Sequence, residues 1–211
     1  MSKKKEEGKK VFKVITIGDS DVGKTSIIRR YISGIFDPNT MSTIGLNFSL
    51  KEITLKHKVK INLKIVDTAG QEKHKSLTKS YFKNSDAVLF VFDINKKESF
   101  ESINEWIKIF EENNNRNKIP KYLIGNKSDK VNEISQDMVD KFLNEHNEFK
   151  YVKTSALKNE NIEKLFKDIS EDIWENFINS YQGEQKTQLI KQYTEQKNIK
   201  ILVSALCNIL L

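Results

Sequence analysis

The sequence predicts a doubly wound α/β domain, a mostly parallel sheet with helices on both faces. Short apolar runs alternate with amphipathic segments across residues 11–178, and such alternation builds parallel strands joined by right-handed helical crossovers. One run, DAVLFVFDI at 86–94, is apolar almost without a break, as a strand buried on both faces requires. Glycines number only eight and cluster at the ends of the apolar runs, where strands give way to loops.

VFKVITIG (11–18) reads as the first strand and GKTSIIRRYISG (23–34) as the first helix. GLNFSLKEITL (45–55) and VKINLKIVD (59–67) are two strands joined through KHK as a hairpin. DAVLFVFDI is the fourth strand. ESFESINEWIKIFEENN (98–114) sets Phe100, Ile103, Trp106, Ile107 and Phe110 at three-and-four spacing, one apolar helix face. KYLIGNKSD (121–129) carries the fifth strand, and a helix starts at about Ser135, which precedes Asp137 as an N-cap. FKYVKTSAL (149–157) carries the sixth strand, and a helix over about 159–178 follows. The expected organisation is a basic arm at 1–10, one domain at 11–178 and a variable tail at 179–211. The polar, weakly patterned YQGEQKTQLIKQYTEQKNIK in that tail predicts a flexible or loosely helical segment.

Composition narrows the function classes. The single cysteine, Cys207, excludes an internal disulfide framework and a multi-cysteine zinc site. His57, His74 and His146 lie far apart in the chain. The first residues lack the apolar stretch of a signal peptide, and no apolar run reaches the ~18–20 residues of a membrane span. A cytoplasmic setting is therefore expected. The net charge of +7 brings anionic partners into view, but six of the lysines fall in the first thirteen residues. No basic patch is interleaved with aromatics, so nucleic acid is not an expected partner.

GDSDVGKT, Gly18 to Thr25, has the spacing G-x-x-x-x-G-K-[ST] between a strand and a helix. Backbone N–H groups of Asp21, Val22, Gly23, Lys24, Thr25 and Ser26 can wrap a phosphate there, and the helix N-terminus favours the anion. Lys24 would reach the β and γ phosphates, and the Thr25 hydroxyl would bind Mg²⁺. In DTAGQE, Asp67 to Glu72, Asp67 can hold Mg²⁺ through water, Gly70 can bring its N–H to the γ-phosphate, and Gln71 can position an attacking water.

NKSD, Asn126 to Asp129, follows a strand at the edge where open α/β sheets bind ligands. Asp129 can accept from the ring N–H and exocyclic amine of guanine; adenine offers neither, and such mismatches support ~10⁴-fold discrimination. Asn126 would tie this loop to its neighbours, and the Lys127 stem can lie along the base. TSA, Thr154 to Ala156, would offer the backbone N–H groups of Ser155 and Ala156 to the guanine oxygen.

With these motifs in this order, residues 11–178 resemble a small GTPase of the Ras superfamily, nearest the Rab branch, with the P-loop NTPase (small G-protein) fold on a six-stranded sheet. STIGLNF (42–48) and DTAGQEKHKSLTKSYF (67–82) strengthen the resemblance. It implies that Thr43 ligates Mg²⁺ when GTP is bound and that Phe36 packs edge-on against guanine. Ile44, Phe48, Val66 and Tyr81 would belong to the effector-reading surface, with Val66 standing where Rabs usually carry Trp. Asp21 replaces a common glycine and is expected to point outward, and Leu157 replaces the usual lysine after the TSA-type motif.

The implied activity is hydrolysis of GTP to GDP and phosphate with Mg²⁺, in a switch regulating vesicle or membrane traffic. The resemblance also implies an exchange factor, a GTPase-activating protein and effectors around a monomeric core. Two classes compete: a GTP-binding module with vestigial hydrolysis, or a non-Rab Ras-like signalling GTPase. An ATPase or nucleotide kinase is disfavoured by NKSD.

Rab-type proteins usually end in prenylated cysteines, implying peripheral association with the cytosolic face of an internal membrane. Here four residues follow Cys207, one more than the C-a-a-X signal has. Cys207 is thus a candidate lipidation site beside two alternatives, an unmodified apolar tail and a chain end that is not the native one.

Overall fold

Six strands form one sheet: β1 (Val11–Ile17), β2 (Leu46–Thr54), β3 (Lys60–Thr68), β4 (Ala87–Asp93), β5 (Lys121–Asn126) and β6 (Phe149–Lys153). They come from a computed structural model that describes residues 10–39, 43, 46–68, 80–116 and 118–195. The spatial order is β2-β3-β1-β4-β5-β6. β2 and β3 pair antiparallel through the expected hairpin, with a 3₁₀ turn at Lys56–Lys58. Every other neighbouring pair is parallel.

The helices are α1 (Lys24–Ser33), α2 (Lys97–Glu101), α3 (Ile103–Asn113), α4 (Gln136–Glu145), α5 (Ile162–Asn179) and α6 (Gly183–Glu195). β4 is buried at all its positions, and its side chains alternate between two cores. Ala87, Leu89 and Val91 join one cluster with Ile27 and Tyr31 of α1 and Phe166 and Ile169 of α5. Val88, Phe90 and Phe92 join the other with Trp106 and Phe110 of α3 and Val139 and Phe142 of α4. The two-residue period of a strand thus feeds both layers at once. Burying each such large apolar side chain contributes roughly 1.5–3 kcal/mol.

Helix boundaries follow local chemistry. Ser135 caps α4, its hydroxyl accepting from the Met138 N–H at 3.3 Å, as expected. The segment read as one helix over 98–114 is instead two, meeting at Ser102. Ser102 Oγ donates back to the Glu98 carbonyl at 2.9 Å, a bond that bends helices. Phe100 therefore lies on α2 and the other four apolar residues on α3. The polar segment after residue 180 forms α6, and Tyr193 meets the Trp174 ring edge-on with centroids 5.0 Å apart.

β1 lies between β3 and β4, so the chain's path across the sheet reverses beside it. Open α/β sheets bind ligands outside the carboxyl ends of strands at such a reversal. The loops after β1, β4, β5 and β6 and the end of β3 all emerge at that edge.

Candidate functional site

The loop from Gly18 to Gly23 lies at the reversal, and its glycines are needed. Gly18 has φ +146°, and a Cβ there would come within 2.1 Å of the Val91 carbonyl oxygen. Gly23 has φ +95°, and its Cβ would meet Asn126 Nδ2 at 2.3 Å. Both are left-handed positions that side chains rarely adopt. Asp21 also has a positive φ, 67°; it is exposed, as expected.

A cavity of about 400 Å³ opens over this loop. One end is lined by Asp21, Gly23, Lys24, Thr25 and Ser26, with Thr43 beside them; the other by Phe36, Asn126, Lys127, Asp129 and Ala156. These residues come from five separated stretches, and the sheet brings them together.

At the first end, Lys24 is 5% exposed. Its Nζ donates to the carbonyls of Gly18 at 2.8 Å and Asp19 at 2.6 Å. Burial lowers its pKa to about 8, against the opposing pull of Asp67, Asp19 and Asp21. The Asp19 carboxylate is held in turn by Trp106 Nε1 at 2.7 Å. The Thr25 hydroxyl lies 2.6 Å from that of Thr43 and donates to Asp67 Oδ2 at 2.7 Å. Thr43 Oγ1 is 3.4 Å from the same carboxylate oxygen. Burial raises the Asp67 pKa, opposed by the Thr25 hydroxyl and the Lys24 charge. Its other oxygen, Oδ1, is buried without a hydrogen-bond partner.

At the second end, the loops are cross-linked by the residues read from NKSD and TSA. Asn126 Nδ2 donates to the Val22 carbonyl at 2.9 Å and its Oδ1 accepts from Thr154 Oγ1 at 3.1 Å. Lys127 Nζ donates to the Asp21 carbonyl at 2.6 Å and pairs with buried Asp93 at 2.7 Å. One side chain thus joins the phosphate loop, β4 and the base loop.

Ser155 is placed differently from expectation. Its N–H is taken by the Glu160 carbonyl at 3.2 Å, and the residue is buried behind the cavity. Its hydroxyl donates to Asp129 Oδ1, so it braces the carboxylate rather than offering its N–H inward. Ala156 does line the cavity.

Of the expected surface residues, Phe48 is 65% exposed and Tyr81 43%. Val66 is not on that surface: at 5% exposure it lies in the second core cluster. Its short branched side chain ends inside the layer. Ile44, Gly70, Gln71 and Cys207 lie outside the described residues.

Sequence reasoning missed Asp93, Trp106 and Arg30. Asp93 had a signal, a carboxylate closing a wholly apolar run at the sheet's carboxyl edge. Trp106 looked like one more member of an apolar helix face. Arg30 donates from the last turn of α1 to carbonyls of residues 156 and 157, a distance in sequence that no local pattern bridges.

Residues 13–175 match the family described as the Ras family. The chain is similar to the Ras-related protein Rab-30 of Homo sapiens, 38% identical over 162 residues that span 76% of this chain and 78% of that protein. It is likewise 38% identical to the Ras-related protein Rab-10 of Diplobatis ommata over 165 residues, 77% of this chain and 81% of that one. To the Ras-related protein Rab-11A of Dictyostelium discoideum it is 36% identical over 171 residues, 80% and 78% of the two chains. With the phosphate loop, the sheet order and the two-ended cavity, these similarities mean that the chain belongs to the Ras family, as a Rab-like small GTPase.

Proposed function

We propose that the protein binds GTP across this cavity, hydrolyses it to GDP and phosphate, and uses the two states to control a step of membrane traffic. The observation that carries the reading is the cavity's polarity from end to end: buried Lys24 at one end, the braced Asp129 carboxylate at the other. A phosphate chain matches the first and a guanine base the second.

In this reading the backbone N–H groups of Asp21 to Ser26 and the Lys24 ammonium hold the phosphates. Asp129 accepts from the guanine amine and ring N–H, Ala156 donates its N–H to the guanine oxygen, and Phe36 and Lys127 flank the base. Thr25, Thr43 and Asp67 supply clustered oxygens, and the unpartnered Asp67 Oδ1 supports a hard divalent cation such as Mg²⁺ there. When bound, Mg²⁺ neutralises charge on the β and γ phosphates. Gln71 orients a water whose oxygen attacks the γ-phosphorus. The bond to the bridging oxygen breaks, GDP leaves, and the water's proton ends on the phosphate product.

No arginine is among the described residues lining the cavity. Hydrolysis is therefore slow until a GTPase-activating protein supplies the missing charge. An exchange factor and effectors complete the cycle, and effectors read exposed Phe48 and Tyr81 together with Ile44. Among the described residues no helix is long and apolar enough to cross a membrane. Attachment through a lipid on Cys207 would bring the switch to the cytosolic face of an internal membrane.

Denaturing the purified protein and identifying the released nucleotide by chromatography tests the reading. Near-stoichiometric GDP or GTP supports it. Adenine nucleotide, or no nucleotide together with no guanine affinity, overturns it.

A further inference from the structure

Arg30 sits in the last turn of α1, half-buried. Its three donor positions each meet a different carbonyl. Nε donates to the Ala156 carbonyl at 2.8 Å, Nη2 to Leu157 at 3.0 Å and Nη1 to Gly34 at 2.5 Å. Its guanidinium carbon lies 5.8 Å from the centre of the Phe36 ring. The Arg30 carbonyl also accepts from the Gly34 N–H at 2.9 Å, so Gly34, left-handed at φ +71°, is gripped on both sides. Phe36 and residues 156–157 all line the cavity, and they are far apart in sequence.

We infer that Arg30 is a positioning residue for guanine recognition, a clamp that holds the Gly34–Phe36 segment and the 155–157 loop in one geometry and so slows nucleotide release. The inference rests on the guanine-nucleotide reading above. Holding the Ala156 and Leu157 carbonyls fixes the two peptides that follow Ala156, directly beside the one that carries the Ala156 N–H. It also sets the height of Ser155, whose hydroxyl braces Asp129. One guanidinium thereby governs both guanine contacts and the aromatic wall without touching the ligand. A planar fork with donors on three sides serves three separate carbonyls at once; an ammonium on a flexible stem is a single point of charge.

The test compares the parent protein with Arg30→Ala, Arg30→Lys and Arg30→Gln. Three readouts are used: dissociation rate of a fluorescent GDP analogue, the affinity ratio of GDP to inosine diphosphate, and single-turnover hydrolysis of prebound GTP. Inosine lacks the exocyclic amine, so the ratio reports how well Asp129 is placed. Arg30→Ala is expected to speed dissociation about 10- to 100-fold, as the loss of several charge-assisted bonds implies. It should also lower the GDP-to-inosine ratio, while hydrolysis of bound GTP stays within about twofold, because Lys24 and Thr25 are untouched. Arg30→Lys should fall between parent and alanine. Arg30→Gln keeps the stem and serves the same comparison if the alanine variant does not fold.

Dissociation within about twofold of the parent in the folded variants overturns the inference. So does faster dissociation with an unchanged GDP-to-inosine ratio, which marks general loosening of the fold. A parent protein that binds no guanine nucleotide overturns the functional reading itself, and is recognised without any variant.

Discussion

Raising the pH from 7.5 to 9.5 should weaken GDP binding about 25-fold through Lys24 alone. Burial lowers its pKa to about 8 in the free protein, while bound phosphates would hold the ammonium charged. The charged fraction then falls from about three-quarters at pH 7.5 to about one-thirtieth at pH 9.5, worth roughly 2 kcal/mol of affinity. The fold responds in the opposite sense. The unfolded chain keeps this proton up to about 10.5, so the free protein gains stability as pH climbs from about 8 toward that value. Titration calorimetry of GDP into nucleotide-free protein, in buffers of different ionisation enthalpy, reads affinity and proton uptake together. At pH 8 the parent should take up about half a proton per GDP. Lys24→Arg, whose guanidinium stays charged, should take up none at this position. Equal uptake in the two proteins would refute the assignment of Lys24 as the buried phosphate-binding cation.

Other perturbations address the rest of the site. Asp129→Asn turns one acceptor into a donor facing guanine donors; GDP affinity should drop on the order of 10³-fold or more, while xanthosine diphosphate binds better than GDP in competition. Retention of GDP within tenfold would mean that Asp129 does not read the base. Gly23→Ala puts a Cβ against Asn126 Nδ2 in a left-handed backbone, so the bond from Asn126 to the Val22 carbonyl must break. A loss of about 3 kcal/mol in urea unfolding is expected, with faster GDP release; an unchanged midpoint would show that the loop relaxes freely. Gln71→Leu should slow single-turnover phosphate release by orders of magnitude while GTP still binds, and an unchanged rate would remove Gln71 from the mechanism.

Ser102 and Ser155 show where reading the chain stops short. Both are small polar residues in segments whose general character was legible: an amphipathic helix for one, the end of a strand for the other. What each hydroxyl does depends on which partner lies within 3 Å. Ser102 has a carbonyl one turn back, and the helix bends. Ser155 has a carboxylate from a loop 26 residues earlier, and it becomes a brace. Val66 is similar. The resemblance to Rabs, which usually carry Trp there, implied the effector surface, but a valine at that point on β3 ends inside the packed layer. The segment 183–195 lacked a clear apolar stripe, so the sequence left it between a flexible and a loosely helical segment; Tyr193 packs on Trp174 of α5, and tertiary packing supplies what propensity does not.

By itself the sequence determined the alternating sheet-and-helix architecture, the phosphate loop, and the Asn126 and Asp129 that line the cavity's second end. Those signals are local: strand period, helix period, and glycines within eight residues of Lys24 are set by backbone sterics that neighbouring residues already impose. Only the tertiary structure decided how these pieces are held. The grip of Arg30 on the carbonyls of Ala156 and Leu157, of Trp106 on Asp19, and of Lys127 on Asp93 joins residues that the sheet order alone brings together. Hydrogen bonds act over about 3 Å, and no spacing along the chain encodes which side chains a fold will place at that distance.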